Sequence, residues 1–140
     1  MKHILIDTDV ILDFYFDRVP FSENATKIIE LCELEKIKGY VTPVIVANLY
    51  YMLRKNDTHN NTIIRLLRLT QFIEILTTDK QSIFNALQSE FTDFEDAIQN
   101  FSALKHKKIS TIITRNTKDF KKSTLLVLNP NLFLKNNPNL

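Results

Sequence analysis

Short apolar runs alternate along the chain with longer segments in which apolar residues recur at helical spacing. The short runs are rich in β-branched residues, as strands are, so the alternation predicts βα units on a parallel sheet. The predicted strands are residues 3–7, 40–42, 73–76, 109–114 and 125–128, and the predicted helices begin near residues 10, 22, 42, 62, 82 and 93. We therefore expect an α/β fold with three layers. Its central parallel sheet has about four or five strands with helices on both faces.

Local signals refine these boundaries. Ser22 and Thr42 are typical N-caps, and Pro43 is well suited to the first position of a helix. Gly39 separates the second helix from the next strand. Pro130 follows the last strand and predicts a short tail.

Composition restricts the classes of protein that the chain can belong to. A length of 140 residues with 44% hydrophobic residues predicts one domain, residues 1–140, with a core that needs no disulfides. The chain has one cysteine and no candidate signal or membrane-spanning segment, so we expect a cytoplasmic protein. It also has only one glycine, which excludes the glycine-rich loops that bind nucleotide phosphates.

Positive side chains are clustered although the net charge is only +2. They occur at residues 65–68, 105–108 and 115–122. Two interpretations stay open, because such clusters hold phosphate backbones in some proteins and are solvated helix ends in others.

Acidic and amide residues are grouped at three points where a strand ends or a helix begins. The groups are Asp7, Asp9 and Asp13; Asp93, Glu95 and Asp96; and Asn116 with Asp119. A doubly wound sheet brings such positions together at the carboxyl ends of its strands. Clustered carboxylates repel one another unless a cation neutralises them, and an all-oxygen ligand set suits Mg²⁺ or Mn²⁺ better than zinc.

Some of these residues also have structural interpretations. Asp93 precedes Asp96 by three residues, which is typical of a helix cap. Asp13 is a candidate helix-surface charge, and Asp119 is placed to cap a turn. Asp7 is hardest to explain structurally, because a carboxylate that closes an apolar strand is partly desolvated and needs a partner.

Three segments resemble, in order, the motifs of the PIN domain, the fold of VapC-type toxins and other metal-dependent ribonucleases. They are residues 4–13 (ILIDTDVILD), 94–97 (FEDA) and 114–120 (TRNTKDF). The resemblance implies a Mg²⁺- or Mn²⁺-dependent endoribonuclease in which Asp7 and Asp96 bind the metal and Asn116 or Asp119 completes the site. RNA is the implied substrate. A toxin role would further imply an antitoxin partner, and such domains often form homodimers.

One position departs from the motif. PIN domains usually place an acidic residue on the helix after the second strand, where this chain has Asn48. An amide offers one neutral oxygen and lowers the negative charge that attracts a metal. Asp9 is a candidate to compensate. The alternative function is a catalytically weakened module that binds RNA or a partner protein.

The RNA backbone has its own candidate ligands in the late basic cluster. Arg115, Lys118, Lys121 and Lys122 follow the fourth predicted strand and are the positive side chains closest in sequence to the expected site. Binding through them would weaken steeply with salt.

A second family resemblance points to different chemistry. Residues 7–9 (DTD) also resemble the two-aspartate opening of haloacid-dehalogenase-like phosphatases, in which the first aspartate is a nucleophile. That class continues with a Gly-Thr step, whereas this chain continues with VIL at residues 10–12.

Overall fold

Five strands form one parallel sheet in the computed structural model, which describes residues 1–140. The strands are β1 (Lys2–Ile6), β2 (Ile37–Val41), β3 (Ile73–Ile75), β4 (Thr111–Ile113) and β5 (Leu126–Leu128). Their order across the sheet is β3-β2-β1-β4-β5, and every neighbouring pair is parallel. The predicted α/β class and strand number are confirmed.

Seven helices connect or follow these strands. They are α1 (Thr8–Tyr15), α2 (Ser22–Glu33), α3 (Pro43–Arg54), α4 (His59–Leu69), α5 (Lys80–Leu87), α6 (Phe94–Lys105) and α7 (Pro130–Asn136). Side chains cap the N-terminus of every helix except α2, by accepting a hydrogen bond from a free backbone N–H group of the first turn. The predicted cap at Thr42, with Pro43 in the first turn, is confirmed.

Several predictions about element boundaries were wrong. α1, α4 and α5 begin two or three residues earlier than predicted, β4 is shorter, and Ser22 is the first residue of α2 rather than its N-cap. The second strand starts at Ile37 rather than at residue 40, because Ile37 is already in register with Lys2 of β1. Residues after Pro130 form α7 rather than a tail. Asn129 caps this helix by accepting from the Leu132 N–H at 2.8 Å, and Pro130 has the backbone angle that a first turn needs.

The core lies on both faces of the central strand. Ile4, Leu5 and Ile6 of β1 are each 0% exposed, and successive side chains of a strand point to opposite faces. Helices therefore cover the sheet on both sides, as is usual for a parallel sheet. None of the seven helices combines the length and the apolar character needed to cross a membrane.

The chain reverses its direction of progress across the sheet at β1. β2 lies on one side of β1 and β4 lies on the other. In sheets of this kind ligands bind in the crevice at the carboxyl ends of the two neighbouring strands from which the chain continues in opposite directions. Here those strands are β1, which is followed by Asp7, and β4, which is followed by Thr114.

Gly39 lies where three core elements meet, and a side chain there has no room. A Cβ atom at this position would lie 2.7 Å from Cys32 Sγ and 3.1 Å from Ile6 Cδ1. Gly39→Ala should therefore lower the free energy of unfolding by about 1–3 kcal/mol, the usual cost of overpacking, measured by urea denaturation. Adding Cys32→Ala removes the sulfur. The double variant should be more stable than the sum of the two single effects predicts, and strict additivity would contradict this account.

Candidate active site

An open cleft of about 460 Å³ lies at the carboxyl end of the sheet and is lined by residues from four separate parts of the chain. Six of the lining side chains are carboxylates and two, Arg18 and Lys55, are cations. The acidic and amide residues that line it are Asp7, Asp9, Asn48, Asp93, Glu95, Asp96, Gln99, Asn116 and Asp119. The fold thus brings together all the residues predicted as catalytic, metal-binding or accessory.

Asp7 lies at the base of this cleft and is only 5% exposed. Its Oδ1 accepts a hydrogen bond from the Thr8 N–H at 2.8 Å, and its Oδ2 accepts one from the Thr114 hydroxyl at 2.7 Å. The Asp7 N–H donates to the Ile113 carbonyl at 2.9 Å, so a hydrogen bond joins the carboxyl ends of β1 and β4. Both oxygens are therefore held in place. Burial raises the Asp7 pKa, although these hydrogen bonds oppose the rise.

Asp96 and Asp9 are destabilised as anions by their surroundings. Burial is the largest cause in both cases, and the charge of Asp7 is the next. Smaller repulsions from other carboxylates add to these effects at Asp96 and raise its pKa to about 8, whereas Arg115 opposes them at Asp9, whose pKa is raised to about 7. Asp9 Oδ2 accepts from the Arg115 N–H at 3.1 Å, whereas Asp9 Oδ1 is buried and has no hydrogen-bond partner.

The other predicted site residues have distinct positions. Asp93 is the N-cap of α6 and accepts from the Asp96 N–H at 2.9 Å, so its predicted capping role is confirmed while it also lines the cleft. Asn116 and Asp119 are exposed on the 3₁₀ turn (Thr117–Phe120) after β4. Gln99 was not predicted. It lies one turn after Asp96 on α6, is buried, and lines the cleft with an unpaired Oε1.

Asn48 has a partner that the sequence did not reveal. Its Nδ2 donates to Glu95 Oε2 at 2.9 Å, across the gap between α3 and α6. The amide therefore holds a carboxylate of the opposite helix at the cleft. A carboxylate from α6 therefore lies next to the α3 position where the resemblance implied an acidic residue. Glu95 belongs to the FEDA segment, but the sequence does not reveal that this part of α6 faces α3.

Asp13 is a buried anchor rather than a surface charge. It is 0% exposed and binds Arg115 through two hydrogen bonds, at 2.6 Å from Nε and 3.1 Å from Nη2. Arg18 Nη1 lies 3.5 Å from Asp13 Oδ1. A buried carboxylate requires such pairing. The alternative that placed Asp13 on a helix surface was wrong, because α1 packs with this face against the rest of the protein.

The cations predicted to hold RNA lie outside the cleft. Arg115 lines a neighbouring pocket, Lys118 and Lys121 are exposed, and Lys122 pairs with Glu90 at 3.4 Å. Their role in binding RNA stays a prediction. The cations that do line the cleft are Arg18 and Lys55, which were not predicted because both are distant in sequence from the acidic groups at residues 93–96 and 116–119.

The donor chemistry of the cleft fits a hard divalent cation. Its carboxylates raise one another's pKa values, and Asp9 Oδ1 lacks any partner, so a cation would relieve repulsion and satisfy a buried oxygen. No three acidic, histidine or cysteine side chains are already arranged to hold a metal ion. Binding therefore requires side chains to move inward, and the exposed Asp119 and half-buried Asp96 have room to do so.

A family model described as "PIN domain" matches residues 3–118, which is most of the chain. The chain belongs to the PIN domain family. This match decides between the two family resemblances, since the phosphatase alternative is not the family found. Membership of the PIN domain family supports a nuclease activity. No curated protein matches the sequence.

Solved structures confirm the PIN fold. VapBC2 from Rickettsia felis, solved with a DNA fragment from its promoter, superimposes with a TM-score of 0.67 at 15% identity, covering 91% of this chain and 98% of that one. A toxin-antitoxin complex from Klebsiella pneumoniae gives 0.66 at 23% identity, with 91% and 97% covered. VapBC-1 from nontypeable Haemophilus influenzae gives 0.68 at 18% identity, with 92% and 98% covered.

Repulsion within the PIN domain cleft should make stability depend on pH. The pKa of Asp96 rises from its ordinary 3.8 to about 8 on folding, so its protonated form contributes stability that is full below about pH 3.8 and is lost as the pH rises through 8. Asp96→Asn should therefore raise the Tm of the metal-free protein. The gain should grow from pH 5 to pH 8, at about 3–5 °C per kcal/mol for a chain of this size.

Asp79→Asn is the matched control for this prediction. Lys105 lowers the pKa of Asp79 to about 2, so the same substitution there should lower the Tm at pH 8. Scanning calorimetry with EDTA at both pH values measures the two effects. A Tm of Asp96→Asn at or below that of the wild type at pH 8 would contradict the repulsion.

Proposed function

We propose that this PIN domain is a Mg²⁺- or Mn²⁺-dependent endoribonuclease that hydrolyses RNA phosphodiester bonds and acts as the toxin of a toxin-antitoxin pair. The observation that carries the proposal is the convergence of six carboxylates in one cleft at the carboxyl end of the sheet. Such a concentration of like charge is costly unless it binds cations. Family membership supplies the nuclease class.

Each cleft residue has a proposed role. Asp7, Asp96 and Asp119 would hold the metal, and Asn116, Asp9 and Glu95, which line the same cleft, would assist. Thr114 and Thr8 orient the two Asp7 oxygens, and Asn48 orients Glu95. A bound divalent ion would lower the pKa of the attacking water and stabilise negative charge on the leaving oxygen. Arg18 and Lys55 are placed to attract the phosphate backbone.

The toxin role is supported by the kind of complex in which similar folds have been solved. The similar structures come from complexes described as VapBC or toxin-antitoxin assemblies. We infer that an antitoxin protein covers the cleft when the nuclease is inactive. We also propose that residues 1–140 act as one domain, that two copies pair as a homodimer, and that the protein works in the cytoplasm, where it meets RNA.

The second candidate is a catalytically weakened PIN domain that binds RNA or a partner protein without cleaving it. Two observations favour it: the amide at Asn48, and the lack of a preformed group of three metal ligands. The interaction of Asn48 with Glu95 argues for the enzyme, because it retains a carboxylate at the place where charge is needed.

RNA cleavage tests the proposal directly. The wild-type protein with Mn²⁺ should cut single-stranded RNA, and either EDTA or Asp7→Asn should lower the rate by about 10²-fold or more, in keeping with loss of metal-assisted charge stabilisation. Asp79→Asn, an equivalent change outside the cleft, should keep the wild-type rate. Gel analysis of labelled RNA gives the rates. Cleavage that persists with both EDTA and Asp7→Asn would refute the enzyme, and its absence in the wild type would favour the binding module.

A separate experiment tests whether Glu95 takes the role of the acidic residue that is expected at position 48. Glu95→Gln removes the carboxylate and should weaken Mn²⁺ binding by about tenfold or more. The swapped variant Asn48→Glu/Glu95→Gln restores one carboxylate and one amide, so it should recover most of the affinity. Isothermal titration calorimetry with Mn²⁺ measures both. Equal affinity of Glu95→Gln and the wild type would show that Glu95 is not part of the site.

A further inference from the structure

A second pocket lies beside the cleft and differs from it in chemistry. It has a volume of about 300 Å³ and is lined by Phe21, Arg115 and three asparagines, with Pro20 and Pro130 at its edges. The asparagines are Asn24, Asn129 and Asn131. We call it the asparagine pocket. Nothing in the proposed hydrolysis uses it.

A planar surface is built into this pocket. Phe21 is 43% exposed, which is unusual for a phenylalanine, and the guanidinium of Arg115 lies over its ring at 4.0 Å from the centroid. The two hydrogen bonds from Arg115 to Asp13 fix the plane of the guanidinium. Rigid aromatic and guanidinium planes are the groups on which proteins stack unpaired bases.

The charge of the pocket favours a neutral ligand. Arg115 is its only charged lining residue, and two carboxylates offset its charge: the fully buried Asp13, which also pairs with Arg18, and the nearby Asp9. Two of the five N–H donors of the guanidinium bind Asp13, and the others have no partner within the protein. The pocket therefore offers hydrogen bonds without the excess positive charge that would select a phosphate.

The asparagine amides are free to bind the edge of a base. The side chains of Asn24 and Asn131 make no hydrogen bond within the protein, and Asn129 uses only its Oδ1, to cap α7. An amide presents a donor and an acceptor side by side, which matches the paired donor and acceptor atoms on base edges.

The backbone after β4 forms a wall shared by the pocket and the cleft. The Arg115 N–H donates to Asp9, which lines the cleft, while the Arg115 side chain lines the pocket. Asn116, the next residue, lines the cleft again. The pocket and the cleft are therefore adjacent, since Arg115 lines one and the next residue, Asn116, lines the other.

We propose that the asparagine pocket binds one unpaired base of the RNA substrate, next to the bond that is cut. This proposal rests on the ribonuclease function proposed above. It makes the pocket a determinant of sequence preference, whereas the cleft binds the backbone of any RNA.

Binding experiments can test the pocket apart from cleavage. All proteins carry Asp7→Asn to block hydrolysis, and fluorescence anisotropy in Mg²⁺ measures affinity for an eight-nucleotide single-stranded RNA and for an abasic oligomer of equal length. Asn24→Ala/Asn131→Ala should lower affinity for the RNA by about fivefold or more, the lower end of what one base contact contributes. Its affinity for the abasic oligomer should not change.

Two exposed asparagines outside the pocket provide the matched control. Asn60→Ala/Asn139→Ala removes two amides that make no side-chain hydrogen bond, and it should bind both oligomers like the parent protein. Equal affinity of the parent for RNA and for the abasic oligomer would overturn the proposal. So would an equal loss on both oligomers in the pocket variant.

Uncharged ribonucleosides locate the interaction, because they lack a phosphate that the cleft would bind. Titration followed by ¹⁵N-¹H NMR of the wild-type protein should shift the side-chain amide signals of Asn24 and Asn131, and shifts confined to other residues would overturn the proposal. The two proposals fail separately. A base-dependent loss of binding with no cleavage by the wild type removes the enzyme and keeps the pocket, whereas cleavage with unchanged binding in the pocket variant does the reverse.

Discussion

The hydrogen-bonded junction between the ends of β1 and β4 determines where everything else in the cleft lies. The Asp7 N–H donates to the carbonyl of Ile113, and the Asp7 carboxylate accepts from Thr114. This junction lies at the one place in the sheet where the chain continues in opposite directions from two neighbouring strands. It contains the buried carboxylate of Asp7. The free energy gained from apolar burial along β1 is what allows the protein to keep that carboxylate out of water.

The acidic cleft is held together by neutral donors more than by opposite charges. Hydroxyls, backbone N–H groups and the Asn48 amide orient its carboxylates, and these donors fix positions without cancelling charge. Salt bridges in their place would lower the electrostatic potential that attracts a cation. The amide at Asn48 is consistent with this arrangement, because it is one more neutral donor to a carboxylate.

Sequence patterns predicted the sheet, most helices and most of the acidic and amide residues that line the cleft, because periodicity and strand ends are local properties. They did not reveal which side chains touch. The contact from Asn48 to Glu95 spans 47 positions, and the bonds from Asp13 to Arg115 span 102, so both depend on the packing of helices that are distant in sequence. The same limit explains Arg18 and Lys55, which line the cleft only because folding brings them to it. α7 was missed because a proline after a strand equally suits a tail and a first turn.

Asp13 links the cleft to the asparagine pocket through its contacts with two arginines. It pairs with Arg18, which lines the cleft, and with Arg115, which lines the asparagine pocket. One fully buried carboxylate thus restrains two arginines, one at each surface. A substitution of Asp13 would therefore disturb the cleft and the pocket together, although Asp13 itself lines neither.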